Sequence, residues 1–173
     1  IEQTPRDLAF CAHTILDGEV MEVTNAQLDP RFADNPLVTG EPGIRFYAGA
    51  PLTLPGGERV GTLCVIDRAP RQLSAAQRTQ LAELAQSVVQ ALLLRERALG
   101  NALGMPSAVE SELAGHVRAL SAILDRLPMA VSVWDRQLRN AYSNARDQQR
   151  FGRSASTMSH TGVCTPSDTQ RQP

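Results

Sequence analysis

The side chains here best suited to nucleophilic, redox or metal chemistry are three cysteines and three histidines. Cys11 and His13 stand two apart in FCAH. On a helix that spacing points them about 200° from one another, a poor arrangement for a shared metal or a nucleophile–base pair. Cys64 falls within the apolar run GTLCVID and reads most simply as a small buried hydrophobe, while Cys164 has no partner in view. No recognised metal-ligand spacing appears. Thiol redox chemistry needs a resolving sulfur near an activated one, and before residue 98 Cys11 and Cys64 are the only pair available.

A second group has the chemistry of ligand recognition. His13, Asp29, Arg31, Asn35 and Arg45 can hydrogen-bond or pair with a small molecule, and Phe32, Phe46 and Tyr47 can wall a pocket. Each has a plainer role. Asp29 and Asn35 favour Asx turns that tie a loop to itself, Arg45 can face solvent, and the aromatics can fill a core. His13 can be satisfied by backbone at a helix end.

Positioning these residues falls to the stretch from Asp29 to Asp67. Residues 29–43 carry three prolines, two glycines and Asn35, which is loop and short-turn chemistry. Ile44 to Asp67 reads as a β-hairpin: Ile44, Phe46, Ala48 and Ala50 alternate with Arg45, Tyr47 and Gly49, and Pro55-Gly56-Gly57 supplies the turn. A proline-punctuated loop over an apolar ribbon is one way to enclose a small ligand. Upstream, Thr4 as N-cap, Pro5 and Asp7 predict a helix running to about Leu16, with Leu8, Cys11, Ala12, Ile15 and Leu16 on one face. Val20 to Thr24 follows as a short strand. Ser74 with Gln77 forms a capping box opening a helix over 75–97, roughly 35 Å long, with Leu81, Leu84, Ala85, Val88, Val89, Leu92 and Leu93 along its apolar stripe.

Thr4-Pro5-Arg6-Asp7, Phe10-Cys11-Ala12-His13, Asp29-Pro30-Arg31-Phe32, Asn35-Pro36, Gly43 to Leu52 and Gly61 to Asp67 stand in the order and spacing of a known family. The first 97 residues or so closely resemble the GAF domain of bacterial signalling proteins. The resemblance implies an α+β fold, an antiparallel sheet flanked by helices, used as a sensor scaffold with different ligands in different members. It also implies a long exit helix that pairs in a homodimer and transmits the ligand state to an output domain, such as a histidine kinase or diguanylate cyclase. The helix and strands that open the family's domain are expected to be missing here, leaving an unpaired sheet edge.

Further on, GNALGMP (100–106) marks a boundary, and Ser107 with Glu110 opens a second amphipathic helix. Val109, Leu113, Val117, Leu120, Leu124 and Leu127 suit either a coiled coil or a helix docked on its own domain. Residues 130–134 and 138–143 read as strands, and the series from Leu127 to Gly152 resembles the opening of a PAS domain, a second sensor module. Such a domain needs about a hundred residues, so this one is expected to be incomplete. The organisation expected is therefore a GAF unit over 1–98, a linker over 99–127, a PAS-like start over 128–153 and a disordered tail over 154–173.

Composition narrows the function. The 173 residues carry a net charge of −1, all 17 basic residues are Arg, and no apolar run reaches the roughly 20 residues of a membrane span. Nothing draws the chain to nucleic acid, and an odd, irregularly spaced set of cysteines fits a reducing cytoplasm. The reading is a sensory module, not itself an enzyme, that binds an unidentified small molecule or responds to redox state. The alternatives are a GAF-type free methionine-R-sulfoxide reductase using Cys11 and Cys64, or a truncated fragment without independent function.

Overall fold

The structure, a computed structural model, describes residues 8–100 and 107–151. Its centre is a five-stranded antiparallel sheet whose spatial order follows the chain: β1 (Met21–Val23), β2 (Phe46–Thr53), β3 (Arg59–Asp67), β4 (Ala130–Asp135) and β5 (Asn140–Ser143). The expected hairpin is there, with Phe46 opposite Asp67 and Ala50 opposite Leu63. Its turn closes through Leu54 N–H to Glu58 O at 2.8 Å and Gly57 N–H to Leu54 O at 2.9 Å, with Gly57 at φ +90°, where a side chain would be strained.

The alternation placed Ile44, Phe46, Ala48 and Ala50 on one apolar face of this hairpin. Both faces are covered. Every residue of β2 from Phe46 to Leu52 is buried, because α3 (Ala75–Gly100) and α4 (Ser107–Arg126) lie over one side while α1 (Phe10–Leu16) and the 29–43 loop lie over the other. Phe46, Ala48, Ala50 and Leu52 meet Leu63, Val65, Leu81, Val88 and Val89 beneath the two long helices. Each fully buried Val or Leu there contributes about 1.5–3 kcal/mol of transfer free energy. The capping box of α3 forms as expected: Gln77 N–H donates to Ser74 Oγ at 3.2 Å and Ser74 N–H to Gln77 Oε1 at 2.9 Å. Glu22 of β1 ties down the approach to this helix, accepting from Leu73 N–H at 2.8 Å and pairing with Arg78.

Three expectations change. The first helix begins at Phe10, because Ala9 is extended (φ −84°, ψ 119°); Thr4, Pro5 and Asp7 lie outside the described residues. Leu16, placed on its apolar face, is 73% exposed, and the buried residues are Phe10, Cys11 and Thr14. Leu92 of α3 is 38% exposed, while Leu120 and Leu124 of α4 join the core under α3, so α4 docks on its own chain.

The segment read as the start of a separate PAS-like unit extends the same sheet. β4 pairs with β3 from Gly61–Asp135 to Ile66–Ala130, so the sheet runs across the expected boundary and β3 has a partner on both sides. Asn144 fixes this part: its Nδ2 donates to Leu124 O and Met129 O at 2.9 and 3.0 Å, and its Oδ1 accepts from Val131 N–H and Asp147 N–H. A wholly buried amide with all four hydrogen-bonding positions used ties α4, β4 and α5 (Ala145–Phe151) together. Among the described residues no helix is long and apolar enough to cross a membrane.

Candidate functional site

Because strand residues alternate, the odd-numbered side chains near Tyr47 and the even-numbered ones near Cys64 share the face away from α3. Tyr47, Cys64, Ile66, Ser132 and Trp134 stand there beneath α1. On α1, Phe10 and Thr14 are four residues apart and Cys11 lies between them, so all three turn toward the sheet. The short helix and three strands thereby gather a line of polar atoms inside an apolar layer.

The line runs as follows. Thr14 Oγ1 lies 2.8 Å from the Tyr47 hydroxyl, which donates to Cys11 Sγ at 3.5 Å. Cys11 Sγ is 3.9 Å from Cys64 Sγ, Cys64 Sγ is 3.4 Å from Ser132 Oγ, and Trp134 Nε1 donates to that same Oγ at 2.9 Å. Burial, with the two thiols next, pushes the Tyr47 phenol well above its ordinary pKa, so it stays protonated. Both cysteines are thiols, with Cys11 7% and Cys64 2% exposed.

Gly49 makes room for this arrangement. A Cβ there would overlap the Tyr47 hydroxyl and stand 2.8 Å from Thr14 Oγ1, so the ring can lie along its own strand only because residue 49 has no side chain. Beside the two sulfurs is a small cavity of about 30 Å³, lined by Phe10, Cys11, Tyr47, Cys64, Trp134 and Leu138 among others. Leu138 reaches it from the β4–β5 turn at φ +61°, a left-handed conformation that Asp135 braces by accepting from Gln137 N–H and Arg139 N–H. A ligand pocket of ordinary size holds several hundred Å³. This cavity is on the scale of one or two water molecules.

Of the residues nominated from sequence, Cys11, Tyr47 and Cys64 meet at this cavity. Phe32 stands one layer out, stacked on Phe10 with centroids 4.0 Å apart, and Phe10 stacks in turn on Tyr47 at 5.1 Å. The His13 and Phe32 rings stand nearly perpendicular, at 79°, with centroids 4.9 Å apart. Asp29 holds Arg31 in a two-pronged ion pair, Nε to Oδ1 at 2.9 Å and Nη2 to Oδ2 at 2.7 Å, which sets the guanidinium 5.1 Å over Phe32. That pairing holds the Asp29 carboxyl below its ordinary pKa.

Asn35 serves the loop itself. Its Oδ1 caps α2 (Pro36–Thr39) by accepting from Leu37 N–H, and its Nδ2 donates to Leu8 O, both at 2.9 Å. Arg45 spends Nη1 on Val38 O and Ile44 O at 2.8 and 3.1 Å, which binds the end of α2 to the hairpin. Phe46 is excluded from the site, because neighbours on a strand face opposite ways and it belongs to the core under α3. Phe10, Thr14, Ser132 and Trp134 were not nominated. The i, i+4 spacing of Phe10 and Thr14 around Cys11 was a signal available for the first two. Ser132 and Trp134 depend on a strand pairing 68 residues away from Cys64.

A family model described as GAF domain matches residues 1–92. The chain is also similar to a cyclic di-GMP phosphodiesterase of Pseudomonas aeruginosa, with 63% identity over 71 residues. That match covers 41% of this chain and 12% of the length of that protein.

Proposed function

The chain belongs to the GAF domain family, and on that premise we propose that it is the sensory module of a larger signalling protein. The signal is read on the loop-covered face and passed through α3 to an output domain. The observation that carries this is the division of one hairpin: α3 packs on the back of the strand whose front holds Tyr47. Displacement at Tyr47 thus has a direct mechanical route to the long helix. Given the similarity to a cyclic di-GMP phosphodiesterase, the output is proposed to belong to cyclic di-GMP turnover. The size of the cavity favours a small or redox signal over a nucleotide-sized ligand. Pairing of two copies through the far half of α3, where Leu92 is exposed, belongs to the same reading.

One observation favours the enzymatic alternative, since the two sulfurs that a methionine sulfoxide reductase would need are near each other. A space for one or two water molecules beside them does not suit an amino-acid substrate.

The test is a chimera in which this chain replaces the matching segment of the Pseudomonas aeruginosa phosphodiesterase. Tyr47→Phe in the graft is expected to change cyclic di-GMP hydrolysis by roughly 5- to 150-fold, the usual span of coupling between sites. Hydrolysis that ignores both Tyr47→Phe and Gly49→Ala, in a chimera whose far-ultraviolet circular dichroism is unchanged, would overturn the proposal.

A further inference from the structure

The polar line through the loop-covered face has one link unlike the rest, two thiols facing each other between a helix and a central strand. We propose that Cys11 and Cys64 form a reversible disulfide, and that a small hydroperoxide, hydrogen peroxide above all, is the oxidant that makes it. This names the signal for the site just described and rests on the reading of that face as sensory.

Geometry supplies the argument. The sulfurs are 3.9 Å apart and must close to about 2.05 Å, so one of them moves by roughly 2 Å. Cys64 belongs to β3, which is hydrogen-bonded on both sides. Cys11 sits in the first turn of a seven-residue helix that has no side-chain cap at its start. The helix is the cheaper element to shift. The cavity of about 30 Å³ adjoins both sulfurs, which gives the movement somewhere to go and admits a molecule of two heavy atoms. Cys11 is the more exposed of the two and receives the Tyr47 hydroxyl's proton as a hydrogen bond.

The chemistry balances in two steps. Cys11 Sγ attacks one peroxide oxygen as it gives up its proton, the O–O bond breaks, and the other oxygen leaves as water or an alcohol carrying that proton, so Cys11 becomes a sulfenic acid. Cys64 Sγ then attacks that sulfur, the S–O bond breaks, and water leaves with the Cys64 proton. Two thiols and one hydroperoxide become one disulfide, one water and one alcohol (or a second water), and two electrons pass from sulfur to oxygen. A dithiol reductant reverses the change. Drawing Cys11 toward β3 removes it from the Tyr47 hydroxyl, whose other neighbour is Thr14, so the bond is felt along α1 and β2 together.

The whole chain is treated with hydrogen peroxide or with bulkier cumene hydroperoxide, then denatured, alkylated and mapped by mass spectrometry. The expected result is loss of alkylation at both Cys11 and Cys64, a peptide pair joined through them, and full recovery with dithiothreitol. Hydrogen peroxide should outpace the bulkier reagent, and Cys164→Ser should behave like the native chain. In Cys64→Ser, Cys11 should accumulate as a sulfenic acid that a cyclic-dione probe captures; Cys64→Ala serves if that variant fails to fold. Cys11 and Cys64 alkylating fully after oxidation, over-oxidising without a bridge, or bridging to Cys164 instead would each overturn the inference. The chimera separates the two claims. A bridge that forms without altering hydrolysis sinks the sensory reading alone, and hydrolysis that answers to Tyr47→Phe without any bridge sinks only the disulfide.

Discussion

Leu63 and Cys64 are neighbours on one strand, yet they belong to two different interiors. Leu63 faces a layer built mainly of aliphatic side chains from β2, β3, β4, α3 and α4, with Phe46 and Tyr142 of β5 among them. Cys64 faces a layer threaded by hydroxyls, thiols and an indole, with a stacked aromatic column and a cavity beside it. Dry aliphatic packing has one good arrangement and resists change. A layer joined by long, weak sulfur contacts and a gap has less to lose when it rearranges. The back of the sheet therefore acts as scaffold and the front as site, and the comparison is broken most directly at Leu63. Leu63→Ala is expected to cost about 2–5 kcal/mol, since it opens a cavity in the rigid layer. Denaturant unfolding followed by the fluorescence of Trp134, the chain's single tryptophan, checks it. The indole lies on the front, so its signal should fall together with the helical circular dichroism; separate transitions would mean that the two layers are not one cooperative unit.

The next largest effect is expected on the front. Gly49→Ala places a methyl where the Tyr47 hydroxyl now lies, and Tyr47 is buried with little room to yield. A cost of about 1–3 kcal/mol follows, the usual range for overpacking. Adding Tyr47→Phe should recover part of it, because the overlapping atom is gone. A double-mutant cycle read from the unfolding midpoints checks this. Strictly additive costs would show that the front is not organised around Tyr47.

How much of this was legible depends on what each feature requires. The hairpin was readable because Pro55-Gly56-Gly57 and the runs either side of it act locally, and the Ser74–Gln77 box was readable for the same reason. The burial of both faces was hidden, since Tyr47, Gly49 and Cys64 look like interruptions of an apolar pattern when they belong to a second interior. Phe46 was nominated beside Tyr47 although strand parity sends them to opposite layers. Arg45 and Asn35 looked like ligand contacts and instead bond backbone groups, Arg45 the carbonyl of Val38 and Asn35 the Leu37 amide and the Leu8 carbonyl. The meeting of Cys11 with Cys64, and of Cys64 with Ser132, needs pairings over 53 and 68 residues that no local spacing encodes.

The smallest expected effect sharpens the comparison in a different way, because it touches only the front. Asp29 fixes Arg31 over Phe32, and Phe32 stacks on Phe10 above Tyr47, so one exposed ion pair steadies the outer edge of the aromatic column. The Arg31 hydrogen bond lowers the Asp29 pKa from its ordinary 3.8. A carboxyl depressed on folding stabilises the folded state above its unfolded pKa, and that contribution disappears as pH falls through the lower folded value. Solvent screening keeps the amount at or below about 1 kcal/mol. Comparing the native chain with Asp29→Asn, thermal unfolding should separate the two slightly from pH 5 to 7 and converge below pH 3.8, and added salt should shrink the gap. The ion pair on the back of the sheet, Glu22 with Arg78 of α3, is a separate one, so the difference in α3 amide exchange between the native chain and Asp29→Asn should not follow this titration while that around Phe32 should. Protection in α3 that fell in step with Asp29 protonation would show that the two interiors are coupled more tightly than their chemistry implies.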